Sequence, residues 1–275
     1  MQFLDDLQRA VTLSAPPQRI ICLVPSITET LFALGVGDHV IGVTDYCTHP
    51  PERVALLPKL GGTKDPHREA ILRLEPDLLI LNDEENRRED FAWFVEHGLP
   101  VYVTAPRTVA AGITMIDKLG SALSCQSSSE PMVHAMQAAY ARLTAELATQ
   151  PRLRVFCPIW RKPWMSFNHD TYSDDMLWAT GGENVLRNNT ERYFSIILEE
   201  VAALSPQVVL LPSEPYPFET KHFIHLQPLA DTPAGRSGHF YCIDGMALCW
   251  YGPRILDGLE QLAQLFAYVR ATIDD

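Results

Sequence analysis

Long hydrophobic runs are missing from this chain. Nowhere in its 275 residues does an apolar stretch approach the ~18 residues of a transmembrane helix, so it is not expected to span a membrane. Basic residues are scarce: 22 Lys and Arg against 34 Asp and Glu give a formal net charge of -12, without the basic footprint that nucleic acid or an anionic membrane demands. Paired-cysteine spacing is absent. Cys22, Cys47, Cys125, Cys157, Cys242 and Cys249 form no C-x-x-C, and several lie in apolar, strand-like runs, so they read as buried free thiols rather than a disulfide framework or metal site. There is no G-x-S-x-G, H-E-x-x-H, P-loop or G-x-G-x-x-G, which leaves an enzyme without its usual signatures. Asp5, Asp6 and Gln8 occupy the place where a secretion signal would carry positive and then apolar residues. A cytoplasmic location is therefore expected, with the periplasm or cell surface as the alternative for a processed form.

What is present is alternation. Residues 19–24 form an apolar, β-branched run that predicts a buried strand; Pro25 breaks it, and Ser26-Ile27-Thr28-Glu29 has the form of a capping box opening a helix that ends at Gly35. Residues 40–44, 78–81 and 101–105 are further strands, separated by loops and helices. The same grammar returns in the second half, with strands at 154–160, 208–211 and 239–243, a helix closed by Gly181-Gly182, and a long closing helix from Pro253. Between the halves, Met132, Met136, Tyr140, Leu143 and Leu147 recur at helical spacing, with Ser128 and Ser129 as caps, Pro131 in the first turn and Pro151 as the stop. The pattern predicts an N-terminal α/β lobe over 1–126, a linking backbone helix over 127–151 and a C-terminal α/β lobe over 152–275. Both sheets should be largely parallel, because helices are the crossovers that parallel neighbours require. Leu74-Glu75-Pro76-Asp77-Leu78 and Leu204-Ser205-Pro206-Gln207-Val208 echo each other as helix end, proline and buried strand.

Ligands of open α/β sheets lie beyond the carboxyl ends of the strands. In the first lobe those loops hold Tyr46, His49, Glu85 and Asn86. In the second they hold Trp160, Trp164, Tyr216, Trp250 and Tyr251, a concentration of rings suited to a large, flat, partly apolar ligand. Histidines give no clear bare-ion site: His67, His97 and His134 fall on predicted helices, His222 and His225 are a lone i, i+3 pair, and His169 is the best companion for His49.

Several motifs carry a family resemblance. Pro17-Gln18-Arg19-Ile20-Ile21-Cys22-Leu23-Val24-Pro25-Ser26, Gly42-Val43-Thr44-Asp45-Tyr46, Leu74-Glu75-Pro76-Asp77-Leu78 and Gly181-Gly182-Glu183-Asn184-Val185 resemble the cobalamin-binding (BtuF-like) receptors of bacterial ABC importers. The similarity runs from about Pro17 to about Ala267. It implies the helical-backbone fold, class III of the periplasmic binding proteins, in which one long helix joins two α/β lobes. It also implies non-catalytic binding of a corrinoid between the lobes, with no resident cofactor or protein-bound metal. By position, a ligand-facing aromatic corresponds to Tyr46, and ligand loops correspond to Asn86, Trp164, Tyr216 and Trp250. Glu69 and Glu199 correspond to the glutamates that dock a membrane permease, with the adjacent Glu200 as the alternative in the second half. The expected protein is a monomer that carries a small-molecule metal chelate, as an importer receptor or an intracellular corrinoid carrier. Haem or an iron-siderophore is the alternative ligand, and a chelatase-like enzyme on a related fold the alternative activity. Trp164 and Trp250 are expected to matter more for binding than Trp178.

Overall fold

The computed structural model describes residues 1–273. The described chain forms two compact units: residues 1–106, 111–134 and 251–253, and residues 107–110, 135–250 and 254–273.

In the first unit, strands β1 (Gln2–Leu4) and β2 (Ala10–Thr12) make an antiparallel hairpin. The parallel sheet follows: β3 (Ile20–Cys22), β4 (Val40–Val43), β5 (Leu78–Asn82) and β6 (Val101–Thr104), ordered β4-β3-β5-β6. Every residue of β3, β5 and β6 is buried. That is why these strands read as continuous apolar runs rather than alternating ones. Helices α1 (Pro25–Ala33), α2 (Pro51–Val54), α3 (Arg68–Arg73), α4 (Arg88–Glu96) and α5 (Val109–Ala122) complete this half. The hairpin protects the edge of β6: Asp6 N donates to Val103 O, and the Asp6 carboxylate accepts from Ala105 N at 3.0 Å and Lys118 Nζ at 2.9 Å. Asp5 is fully buried, accepting from Leu7 N, Arg9 N and the Arg9 guanidinium.

Helix α6 (Gln126–Leu147) carries the chain onward, and the division between the units falls within it, between His134 and Ala135. Its 22 residues make a rod of about 33 Å. Its buried stripe is Ser129, Val133, Met136, Ala139 and Leu143. The helix begins two residues before Ser128, so Ser128 and Ser129 lie inside it and cap nothing; it stops at Leu147, short of Pro151.

The second unit contains β7 (Leu153–Phe156), β8 (Trp160–Arg161), β9 (Trp164–Phe167), α7 (Tyr172–Ala179), β10 (Gly182–Asn184), β11 (Tyr193–Ser195), α8 (Leu198–Ala203), β12 (Val208–Pro212), α9 (Pro233–Ser237), β13 (Phe240–Ile243), α10 (Gly245–Cys249) and α11 (Arg254–Ile273). Its parallel sheet is ordered β10-β7-β12-β13, and β11-β9-β8 form a small antiparallel sheet. In each unit the first strand of the parallel sheet lies between the second and the third. The fourth lies beyond the third, so the order of one sheet repeats in the other.

The internal echo has a shared mechanism. Helices α3 and α8 both end at leucine, Leu74 and Leu204, followed by a residue at positive φ, Glu75 at 45° and Ser205 at 51°. An arginine at the start of the first parallel strand neutralises the loose carbonyls: Arg19, just before β3, donates to Leu74 O and Glu75 O, and Arg154, in β7, donates to Ser205 O. Asp77 then accepts from Arg19 N as Gln207 accepts from Arg154 N. These pairings align residue 77 with residue 207, an offset of 130.

One predicted start signal fails. Helix α1 opens at Pro25 with Val24 as its N-cap and no side-chain cap, so Ser26-x-x-Glu29 is no capping box. Pro25 already supplies the preset φ of a first helical position, and the Ser26 hydroxyl is buried without a partner. Among the cysteines, Cys22, Cys47, Cys125 and Cys157 are buried free thiols, Cys249 is half-buried and Cys242 exposed. Burial pushes the Cys22 and Cys157 thiols well above their usual range.

Candidate functional site

In the first unit the loop after β4 exposes Tyr46, 64% of whose surface is open. Its neighbours hold the loop still: the Cys47 thiol bonds the Thr44 and Thr28 hydroxyls at 3.1 and 3.2 Å, and Lys59 Nζ donates to Cys47 O. Gly62 lies below the ring. A Cβ there would meet Asp65 Oδ1 at 2.2 Å and the Tyr46 ring at 3.3 Å. His49, further along, is half-buried with Nδ1 3.0 Å from the Thr48 hydroxyl.

The loop after β5 is built by two asparagines. The Asn82 side-chain oxygen accepts from Glu84 N and Glu85 N while its amide donates to Thr104. Asn86 accepts from Asn82 N at 2.8 Å and donates to Leu23 O and Thr63 O. Asn86 is only 6% exposed and its amide is fully committed, so its role is to tie three segments together rather than touch ligand. Glu85, half-buried, accepts from the Tyr251 hydroxyl at 3.4 Å. Tyr251 itself is 7% exposed, which likewise makes it a support for Glu85.

In the second unit the carboxyl ends of β7 and β12 carry a graded set of rings. Trp160 is 42% exposed and meets Tyr216 edge-on at 5.5 Å. Tyr216 lies 4.6 Å from Phe218, which is buried, and Trp164 stacks on Phe218 at 5.8 Å with the planes 7° apart. Burial therefore deepens from Trp160 through half-buried Tyr216 and Trp164 to Phe218. The outer rings are offered to solvent and the inner ones hold them in place. Below this group, Phe156, Leu198, Val209 and Leu211 form the local core.

Trp250 differs from the sequence expectation. It is 6% exposed, its indole N–H donates to Glu214 Oε1 at 3.1 Å, and the Arg254 guanidinium lies 5.4 Å from its ring. Its place is to hold the loop after β12. That loop is pinned a second time where Gly245 N donates to Ser213 Oγ; a Cβ at Gly245 would come within 2.4 Å of Glu214 N. Trp178 is half-buried between the guanidiniums of Arg152 and Arg187, at 3.5 and 4.0 Å from its ring centroid.

The sequence sets His225 only beside His222 and gives no sign of its contact with Arg161. Arg161 Nη2 lies 2.6 Å from His225 Nε2, beside Trp160. Their 64-residue separation hides the pairing, although the adjacent cations Arg161-Lys162 in an aromatic segment were a visible signal. Glu69 and Glu199 are exposed second residues of α3 and α8, and the offset of 130 aligns them, leaving Glu200 one residue out of register.

The sequence pattern of the family described as Periplasmic binding protein matches residues 20–247. The chain belongs to that family. This periplasmic binding protein is 24% identical over 260 residues to a vitamin B12-binding protein of Vibrio parahaemolyticus, covering 93% of this chain and 91% of the relative. Among solved structures it is similar to the periplasmic vitamin B12 binding protein BtuF of Vibrio cholerae, with a TM-score of 0.82, 22% identity, and 93% of this chain and 98% of that one covered. It is also similar to the apo form of the periplasmic heme-binding protein RhuT from Roseiflexus sp. RS-1, with a TM-score of 0.80, 28% identity, and 92% and 98% covered. The α/β fold of class III periplasmic binding proteins and the likeness to cobalamin receptors are therefore shown. No helix among the described residues is long and apolar enough to cross a membrane.

Proposed function

We propose that this periplasmic binding protein binds a corrinoid, cobalamin or a precursor of it, without catalysis, and delivers it to an ABC importer. The observation that carries the reading is the similarity to vitamin B12-binding proteins over more than nine-tenths of both chains. The graded rings around Trp160 support it. Each large ring contact contributes about 1.5–3 kcal/mol gross against an association cost of about 4–15 kcal/mol, so only rings already held in place leave a surplus. Tyr46, His49 and Glu85 of the first unit, with Trp160, Trp164 and Tyr216 of the second, are the proposed contacts. The family's description supports a periplasmic or cell-surface location, and the cytoplasmic expectation finds no support. A haem-type chelate is the second reading, favoured by the 28% identity to a heme-binding protein.

Titration of the apo protein with cyanocobalamin and with haemin, followed by tryptophan fluorescence and calorimetric heat, tests both. One-to-one saturation by cyanocobalamin at micromolar affinity or better is expected; haemin saturation with no corrinoid response would replace the first reading by the second. Glu69 and Glu199 are proposed to dock the permease. Charge reversal at both, Glu69→Arg with Glu199→Arg, should abolish uptake through a reconstituted importer and leave ligand affinity within about twofold, because exposed charges contribute little to the fold itself. Uptake at the wild-type rate would remove the docking role.

A further inference from the structure

We infer that Arg161 reads an anionic substituent, phosphodiester or carboxylate, on the bound chelate, and that His225 holds its guanidinium ready. This rests on the chelate reading above and narrows it to ligands that carry an acid at their edge.

The argument starts from donors. A guanidinium has five N–H donors and no acceptor, so in the 2.6 Å contact Arg161 Nη2 donates and His225 Nε2 accepts. The imidazole is thus neutral, with its proton on Nδ1. Desolvation first, then the charges of Arg161, His222 and Lys162, push His225 below its usual range, which agrees with that assignment. One nitrogen of Arg161 is thereby fixed. Its remaining N–H groups make no hydrogen bond, and neither Arg161 nor Lys162 joins an ion pair among the described residues. Arginines elsewhere in this chain of net charge -12 find a carboxylate, as Arg9, Arg68 and Arg192 do with Asp5, Asp90 and Asp170. Arg161 and Lys162 are adjacent cations with no carboxylate partner among the described residues, and they stand next to the most exposed ring of the aromatic group. A fork of parallel N–H donors matches two oxygens of a phosphate or carboxylate. Trp160 would take the flat apolar part of the same molecule.

His225 is a positioning residue, acting only through Arg161. Its ring lies 6.4 Å from that of His222, which is buried and whose Nδ1 accepts from Glu219 N at 2.9 Å.

The test compares ligands that differ in the acid. Cyanocobalamin carries a phosphodiester and dicyanocobinamide does not; haemin carries two carboxylates and its dimethyl ester none. Arg161→Ala should weaken cyanocobalamin by roughly 10- to 100-fold and leave dicyanocobinamide within about twofold. Arg161→Lys should recover part of the loss, keeping the charge without the fork. His225→Ala should lose part of the cyanocobalamin selectivity, and His225→Gln, whose side-chain carbonyl also accepts, should restore it. Equal losses for both corrinoids, or none, would overturn the inference while leaving corrinoid binding intact. If the wild-type chain binds neither corrinoid, the corrinoid reading fails and the haemin pair decides. A loss confined to the free acid would uphold Arg161 as an anion reader; equal loss, or no binding of either form, would overturn it.

Discussion

Asn86→Ala should lower the stability of the protein by about 3 kcal/mol. The substitution removes one acceptor and two donors at a site 6% exposed, leaving Asn82 N, Leu23 O and Thr63 O without their partner. An orphaned buried polar group costs about 1–3 kcal/mol, and partial relaxation keeps the sum of the three at the low end of the additive range. Against a total stability of about 5–15 kcal/mol such a loss is large. Urea unfolding followed by far-ultraviolet dichroism, with hydrogen exchange of residues 78–86, measures it. An unchanged midpoint with β5 still protected would mean that the amide holds nothing together.

Trp160→Ala should cost the proposed ligand roughly 10- to 150-fold in affinity, the equivalent of about 1.5–3 kcal/mol for one large ring, with little change in stability. The reason is exposure: Trp160 leaves 42% of its surface to solvent and rests edge-on against Tyr216. Trp178→Ala should do the reverse. Its ring separates two guanidiniums, so its loss leaves Arg152 and Arg187 without their cation–π partner and lowers the melting temperature while affinity holds. Trp250→Ala should act on affinity only indirectly, by releasing Glu214. Calorimetric titration and thermal unfolding of the three variants separate these cases. Wild-type affinity in Trp160→Ala would remove the aromatic platform. The ranking differs from the one the sequence suggested, in which Trp164 and Trp250 led, because burial separates rings that look alike in a loop.

Much of the architecture was legible before any coordinates. Residues 78–81 and 208–211 are uninterrupted apolar runs flanked by proline, and a parallel strand covered on both faces has no other composition. The long helix was readable from its stripe, yet its ends were not: Ser128, Ser129 and Pro151 are valid cap and stop residues that the backbone did not use. Ser26 failed in the same way, since Pro25 served as the start and left the serine facing inward. The site was legible only in outline. Loop position singled out Tyr46 and Trp160, both exposed, but it could not separate them from Asn86, Trp250 and Tyr251, which sit in equivalent loops and face inward.

By itself the sequence determined the class of the protein: two α/β halves with a shared strand-helix grammar, an acidic surface unsuited to nucleic acid, and the motifs of a periplasmic binding protein. These follow from local periodicity and composition, which a chain displays without folding. Only the tertiary structure decided which loop residues are presented and which are spent on holding the loop. It also brought Arg161 to His225 across 64 residues. Those outcomes depend on burial and on hydrogen bonds between distant segments, and neither quantity exists until the strands have been assembled into sheets.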